Sequence, residues 1–261
     1  YADAPAENYV SVTQNTFDNV GNSGIAINGF RTVAATSNTV GTGAQGIGDS
    51  GILVSNTGER VTVTGNMIAN VGTNGMTSAA GIGVTLTGGA GLAATDVAVL
   101  VGDNVIIDNN ATGVGLGIFV GGTANSIYVW QTGIGDVWGM GNTIDMTGDV
   151  GLWVDETGGS VTLSGNSANN TGEDGLLVTD TTGGVRVDGN FVGNSGSIGL
   201  DSTIADAIQI LNTGGNVTVD DNTIAAGAAV DRDGVRIVGT AGNVSVFNNR
   251  IGAGGNLDTG D

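Results

Sequence analysis

Arg186, Asp188, Asp220 and Asp221 form the best-placed group in this sequence for acid-base work. Read as alternating strand positions, Arg186 and Asp188 point out of one face, and Asp220 falls one repeat unit beyond Asp188, about 4.8 Å away in a stack of strands. Carboxylates held that close attract a cation. The plainer reading is a surface ion pair on an acidic protein. A second group, Asp231-Arg232-Asp233-Gly234, has the closely spaced carboxylates and turning glycine of a calcium loop, with Asp231 and Asp233 as candidate metal ligands. No later glutamate closes a twelve-residue hand, and a solvated turn explains the segment as well. No cofactor is expected beyond calcium at that loop. The pairs Asp155-Glu156 and Glu173-Asp174 read as solubilising charge in turns.

The charge balance narrows the partners. Six arginines face 25 acidic residues, for a net charge of −19, and there is no lysine, histidine or cysteine. Such a chain repels phosphate, so nucleic acid and anionic membrane surfaces are poor partners, whereas divalent cations are attracted. The missing cysteines remove disulfides, thiolate catalysis and thiolate-held metals. No apolar run approaches the length of a transmembrane helix. Fifty glycines would suit disorder, but 39% hydrophobic and 12% charged residues do not, so the chain is expected to fold. A sequence that opens at Tyr1 without a methionine is expected to be a processed or partial product.

Positioning these residues falls to a repeat. Placing Asn15, Asn38, Asn66, Asn104, Asn142, Asn166, Asn190, Asn222 and Asn249 in one column puts a valine five residues before each, from Val10 and Val33 through Val137 to Val244. An apolar residue follows each asparagine by two, from Phe17 to Ile251. A second block, small residue then aliphatic-any-aliphatic, recurs in all but the last unit, as in Gly51-Ile52-Leu53-Val54 and Gly151-Leu152-Trp153-Val154. Each unit therefore holds three short segments of period two between turns, which is strand spacing. Such units cannot bury their own apolar faces and must stack in register. The expected fold is all-β, a right-handed parallel β-helix of about nine rungs and three parallel sheets, the hand following the preference of parallel crossovers. The asparagines are expected at a turn, bonded to one another and to the bent backbone. Residues 1–8 read as an N-terminal extension and 9–261 as one domain, with loop insertions near 85–98 and 121–136. No end caps are evident, and the last unit lacks the second aliphatic block.

The phrases VTVTGNMIANVG, VTLSGNSANNTGEDGLLV and VRVDGNFVGNSG resemble the repeats of right-handed parallel β-helix proteins of the pectate-lyase-like superfamily, over roughly residues 9 to 254. The resemblance implies the same fold. What it implies about activity is divided, since such helices serve polysaccharide lyases, glycoside hydrolases, uronate epimerases, phage tailspikes and bacterial adhesins. The histidine motif of polygalacturonase-like members has no match here. Lyases of the superfamily bind calcium through acids and abstract a proton with arginine or lysine, of which this chain offers arginine alone.

In the second block the residue between the two aliphatics should face outward, and that column reads Ala26, Leu53, Gly83, Phe119, Trp153, Leu177, Gln209, Arg236. Leu100 and Trp138 are expected outward in the first strand near the same height, with Tyr128 and Trp130 in the insertion beside them. Phe119, Tyr128, Trp130, Trp138, Trp153 and Leu177 thus make an apolar belt. Either the long insertions cover it as a satellite core, or it is an interface that meets another subunit, another part of a longer chain or a sugar ring. Protein contact fits the exposed alternative better than sugar, because few polar groups converge there. The outward threonines Thr62, Thr162 and Thr218 suggest an ice-binding array. Leu100, Trp138 and Arg186 interrupt it, and ordinary β-propensity accounts for them.

Long repetitive faces and open ends suit a scaffold. The expected function is a structural or adhesive β-solenoid module of a secreted or cell-surface bacterial protein, more readily a non-enzyme than an enzyme. A head-to-tail filament subunit is one form of it, and the expected partners are further copies, other extracellular proteins or a polysaccharide. The alternative is a carbohydrate-active β-helix, a polysaccharide lyase or epimerase.

Overall fold

The computed structural model describes residues 8–43, 46–73, 79–85, 97–109, 115–123, 126–130, 141–196, 205–225, 233–252 and 257–258. Among these the chain forms strands and no helix, and hence no helix long and apolar enough to cross a membrane. Three strands make a rung. The first rung is β1 (Tyr9–Thr13), β2 (Thr16–Phe17) and β3 (Ile25–Asn28), and the ninth is β25 (Val244–Phe247), β26 (Arg250–Ile251) and β27 (Leu257–Asp258). Each strand pairs in parallel with the strands three before and three after it, which builds three nine-stranded sheets. The valine column is the register of the first sheet: Val161 lies beside Val185, Val185 beside Val217, and Val217 beside Val244.

Alternation decides what lies inside. In β7 (Arg60–Thr64), Val61 and Val63 are buried while Thr62 and Thr64 are partly exposed, and the same pattern repeats in β16 (Val161–Ser164). Copies of these aliphatics from all three sheets fill one continuous core along the axis.

Stacking requires each corner to turn at the same place in every rung. At the first corner Gln14, Ser37, Gly65, Asp103, Gly165, Gly189, Asp221 and Asn248 all have φ between 54° and 64°. The residue after each is the column asparagine, whose carboxamide turns inward. Asn104 shows the result. Its Oδ1 accepts the backbone N–H and the Nδ2–H of Asn66, both at 2.9 Å, and its Nδ2 donates to Asn142 Oδ1 and the Val63 carbonyl, both at 2.9 Å. Every hydrogen-bonding site of that fully buried carboxamide is used, which is how a polar column persists beside an aliphatic interior.

Three expectations change. The first-sheet strand of rung five is β13 (Ser126–Trp130), with Ile127 beside Val161 and Tyr128 beside Thr162, so Val137 does not hold that column. Val137 and Trp138 lie outside the described residues. The insertion drawn at 121–136 is displaced accordingly: Gly121 continues β12 (Gly115–Thr123), and residues 131–141 separate β13 from Asn142. The valine-to-asparagine spacing misleads here because the extra residues follow the strand instead of preceding it. The last rung also has its third strand, with Leu257 of β27 beside Val235 of β24 (Val235–Thr240). Of the insertion at 85–98, Thr85 closes β9 (Ala79–Thr85) and Val97 opens β10 (Val97–Gly102), and 86–96 lie outside the described residues. Of the N-terminal extension, Asn8 is described, and its carbonyl accepts the N–H groups of Arg31 and Thr32 at 3.0 and 3.1 Å.

Candidate functional site

The apolar belt is divided between two sheets. Phe119, Trp153 and Leu177 stand in one column of the third sheet, on β12, β15 (Leu152–Thr157) and β18 (Leu176–Thr181). Tyr128 and Trp130 belong to β13 of the first sheet, in register with Leu100 and Gly102. The rings of Phe119 and Trp153 meet edge to face, 5.2 Å between centroids with planes at 64°. Phe119 lies over Gly121, where an added Cβ would come within 2.6 Å of the ring. Trp153 donates Nε1–H to Thr179 Oγ1 at 2.9 Å, and Thr179 donates in turn to Asp155. Leu177 is only 9% exposed and packs with Ala80, Leu116 and Val150. Phe119 and Trp153 are partly buried against that cluster, none of whose members lies in the long insertions, and Leu177 is not an exposed contact.

The acid-base group comes together in part. Arg186 Nε–H donates to Asp188 Oδ1 at 3.2 Å, and Ser164 Oγ donates to Asp188 Oδ2 at 3.3 Å. Asp188 on β19 (Val185–Asp188) is in register with Asp220 on β22 (Val217–Asp220), which accepts Asn248 Nδ2–H at 3.3 Å. Asp221 sits at the corner with φ of 55°, apart from that outward row. The Arg186 side chain is 53% exposed, so water screens its pairing with Asp188.

Of the candidate metal ligands, Asp231 lies outside the described residues. The Asp233 N–H donates to Asp206 Oδ1 at 3.0 Å. Among the described residues no three acidic side chains converge as metal ligands. That bond belongs to a feature the sequence reading missed, a buried run of carboxylates before the third-sheet strands. Asp174 Oδ1 accepts the Asp206 N–H at 2.6 Å, and Asp206 Oδ2 accepts Gln209 Nε2–H at 2.5 Å. Asp206 is fully buried, and Asp174, read from the sequence as solubilising charge, is buried too. The signal was available: Asp174, Asp206 and Asp233 each precede the small residue that opens the aliphatic block. Asp155 and Glu156 fall within β15, where Asp155 is partly buried and Glu156 is exposed with φ of 48°. A further feature without a sequence signal is an open cleft of about 310 Å³ at the first rungs, lined by Asn8, Tyr9, Arg31, Thr32 and Glu59, with Arg31 and Glu59 ion-paired.

Comparison with known proteins adds the hand of the coil. A family model described as the right-handed beta helix region matches residues 50–224. The chain belongs to this right-handed β-helix family. No curated protein and no solved structure matches it significantly.

Proposed function

We propose that this β-helix is a structural or adhesive module of a secreted or cell-surface bacterial protein. The observation that carries the reading is the carboxamide ladder running from Asn15 at one end to Asn249 at the other through eight steps of bonding. A rod held by one continuous ladder, buried from Asn38 to Asn222, is built for length and stiffness. Its outward rows of serine and threonine offer repeated contact to a surface, in keeping with adhesion to other extracellular proteins or a polysaccharide. The net charge of −19 keeps such a rod soluble and away from nucleic acid.

The alternative, a polysaccharide lyase or epimerase, draws its support from Arg186 beside Asp188 and Asp220. Incubation with polygalacturonate and alginate, with and without calcium, separates the two. The structural reading expects both polymers to remain uncut and unepimerised. Product formation that disappears in Arg186→Ala and in Asp220→Ala would replace it with the enzyme.

A further inference from the structure

Residues 141–196, described without a gap, run through rungs five to seven and hold eight acidic residues against one base. That base, Arg186, already donates to Asp188 at 3.2 Å. In-register stacking then sets like charge over like charge. Val154 of β15 lies beside Val178 of β18, and two residues further on Glu156 and Asp180 turn the same corner with φ of 48° and 50°, both exposed. Neighbouring strands lie about 4.8 Å apart, so the two acids leave the backbone one strand spacing from each other. Asp155 stands next to Glu156 and adds a third carboxylate at that corner. The first sheet repeats the arrangement, with Asp188 in register with Asp220 and a single arginine beside the pair.

Glu156 is also at odds with its own column. Its counterparts in other rungs are Gly29, Asn56, Gly122, Asp180, Asn212 and Gly239, all with positive φ and all of types that tolerate it. Glutamate is the poorest fit to that backbone in the set. Glycine or asparagine would relieve the corner and remove the charge together. Negative charge therefore stands where both the backbone and the neighbouring rung disfavour it in dilute solution.

We propose that salt sets the stability of this fold, and that the β-helix is built for a medium of high ionic strength. The inference is independent of the structural reading above, since it concerns the solvent the coil needs and not what the coil binds. The reach of an exposed charge is about 30 Å at 0.01 M salt and about 3 Å at 1 M. In the first case the repulsion acts between rungs and across the coil. In the second it fades within one strand spacing, while the aliphatic core and the carboxamide ladder are left as they were. Self-repulsion of a chain with a net charge of −19 is thereby switched off without any specific ion.

Melting of the intact chain, followed by circular dichroism at neutral pH between about 0.01 and about 1 M sodium chloride, should move up by several degrees. A triple variant, Glu156→Gln with Asp180→Asn and Asp220→Asn, removes three charges and keeps the oxygens that accept Asn212 and Asn248. It should melt above the parent in dilute buffer and together with it in concentrated salt, so its dependence on salt is flatter. A parent whose melting point ignores salt overturns the proposal. So do parallel curves for parent and variant, because salt would then act by exclusion from the surface and not through these charges. Millimolar calcium chloride added at constant ionic strength should bring no further rise, and a saturable rise would replace screening with a bound ion. Should the triple variant fail to fold, Glu156→Gln alone, at an exposed corner, carries the same comparison.

Discussion

Asn142 donates its Nδ2–H to Asn166 Oδ1 at 2.9 Å, across 24 residues of sequence and one step of the stack. Asn166 passes the pattern on, its backbone N–H and Nδ2 reaching Asn190 Oδ1 at 2.8 and 3.0 Å. All three asparagines are buried. Deleting the Asn166 carboxamide therefore strands one Nδ2–H of Asn142 and takes one of the two donors from Asn190 Oδ1, without water to replace either. Asn166→Leu should cost about 3 kcal/mol or more, since each stranded buried polar group costs roughly 1–3 kcal/mol. Asn249→Leu, at the partly exposed end of the ladder, should cost less. Urea denaturation of the two variants checks the order, and equal midpoints would mean the ladder is not a source of stability.

The inside-outside alternation predicts opposite results at adjacent residues. Val161 is 1% exposed in the core, and Thr162 beside it is on the outer face. Val161→Asp places an unpaired carboxylate among aliphatics and should cost several kcal/mol, enough to prevent folding. Thr162→Lys should change stability by about 0.5 kcal/mol or less. Circular dichroism melts suffice, and a soluble, cooperatively melting Val161→Asp chain would mean the register is wrong.

The fold was legible because stacking repeats the same demand at every rung. Inward Val61 and Val63, the turning residue and the ladder asparagine recur with a spacing that variable corner lengths do not disturb. Rung five was misread because its extra residues fall between β13 and Asn142, inside the spacing used to find the strand. The sequence Ser126–Trp130 itself alternates well, with Ile127 in register with Val161 and Val129 with Leu163. The candidate sites were less legible. Whether an acid in a turn points outward depends on the neighbouring rung, and Asp174 is drawn inward by the Asp206 N–H, a partner 32 residues away. That partner is encoded in the repeat and not around Glu173-Asp174 alone, since Asp174 and Asp206 each precede the small residue of the aliphatic block.

Small residues open the third-sheet strands for a reason that substitution can expose. A Cβ on Gly51 would stand 2.5 Å from Ile68 Cγ2 and 2.7 Å from the Gly81 carbonyl oxygen of the next rung. Neither neighbour is free to move, because Ile68 is a core side chain and the Gly81 carbonyl belongs to β9. Gly51→Ala should destabilise by roughly 1–3 kcal/mol, the range for overpacking a filled interior. Gly21, where an added Cβ meets nothing within 4 Å, is the control and should accept alanine with little change. Calorimetry comparing the two variants checks the prediction, which fails if Gly51→Ala melts no lower than Gly21→Ala.

Trp153 does two jobs in the outer cluster, and two substitutions separate them. Its ring packs edge to face on Phe119, and its Nε1–H engages Thr179, which donates to Asp155. Trp153→Phe keeps an aromatic face for Phe119 but leaves Thr179 without that donor. It should cost about 1 kcal/mol, the usual net worth of one hydrogen bond. Trp153→Ala removes the ring as well, and should cost about 3 kcal/mol or more, as truncation of a packed aromatic does. The graded loss follows from a side chain that packs against Leu177 and Phe119 within the chain. A residue kept only for contact with a partner behaves differently: Trp153→Ala would leave the melting temperature of the isolated chain unchanged and weaken association alone. Melting curves of both variants beside the parent decide between these outcomes, and an unchanged Trp153→Ala curve would return this part of the belt to the role of an interface.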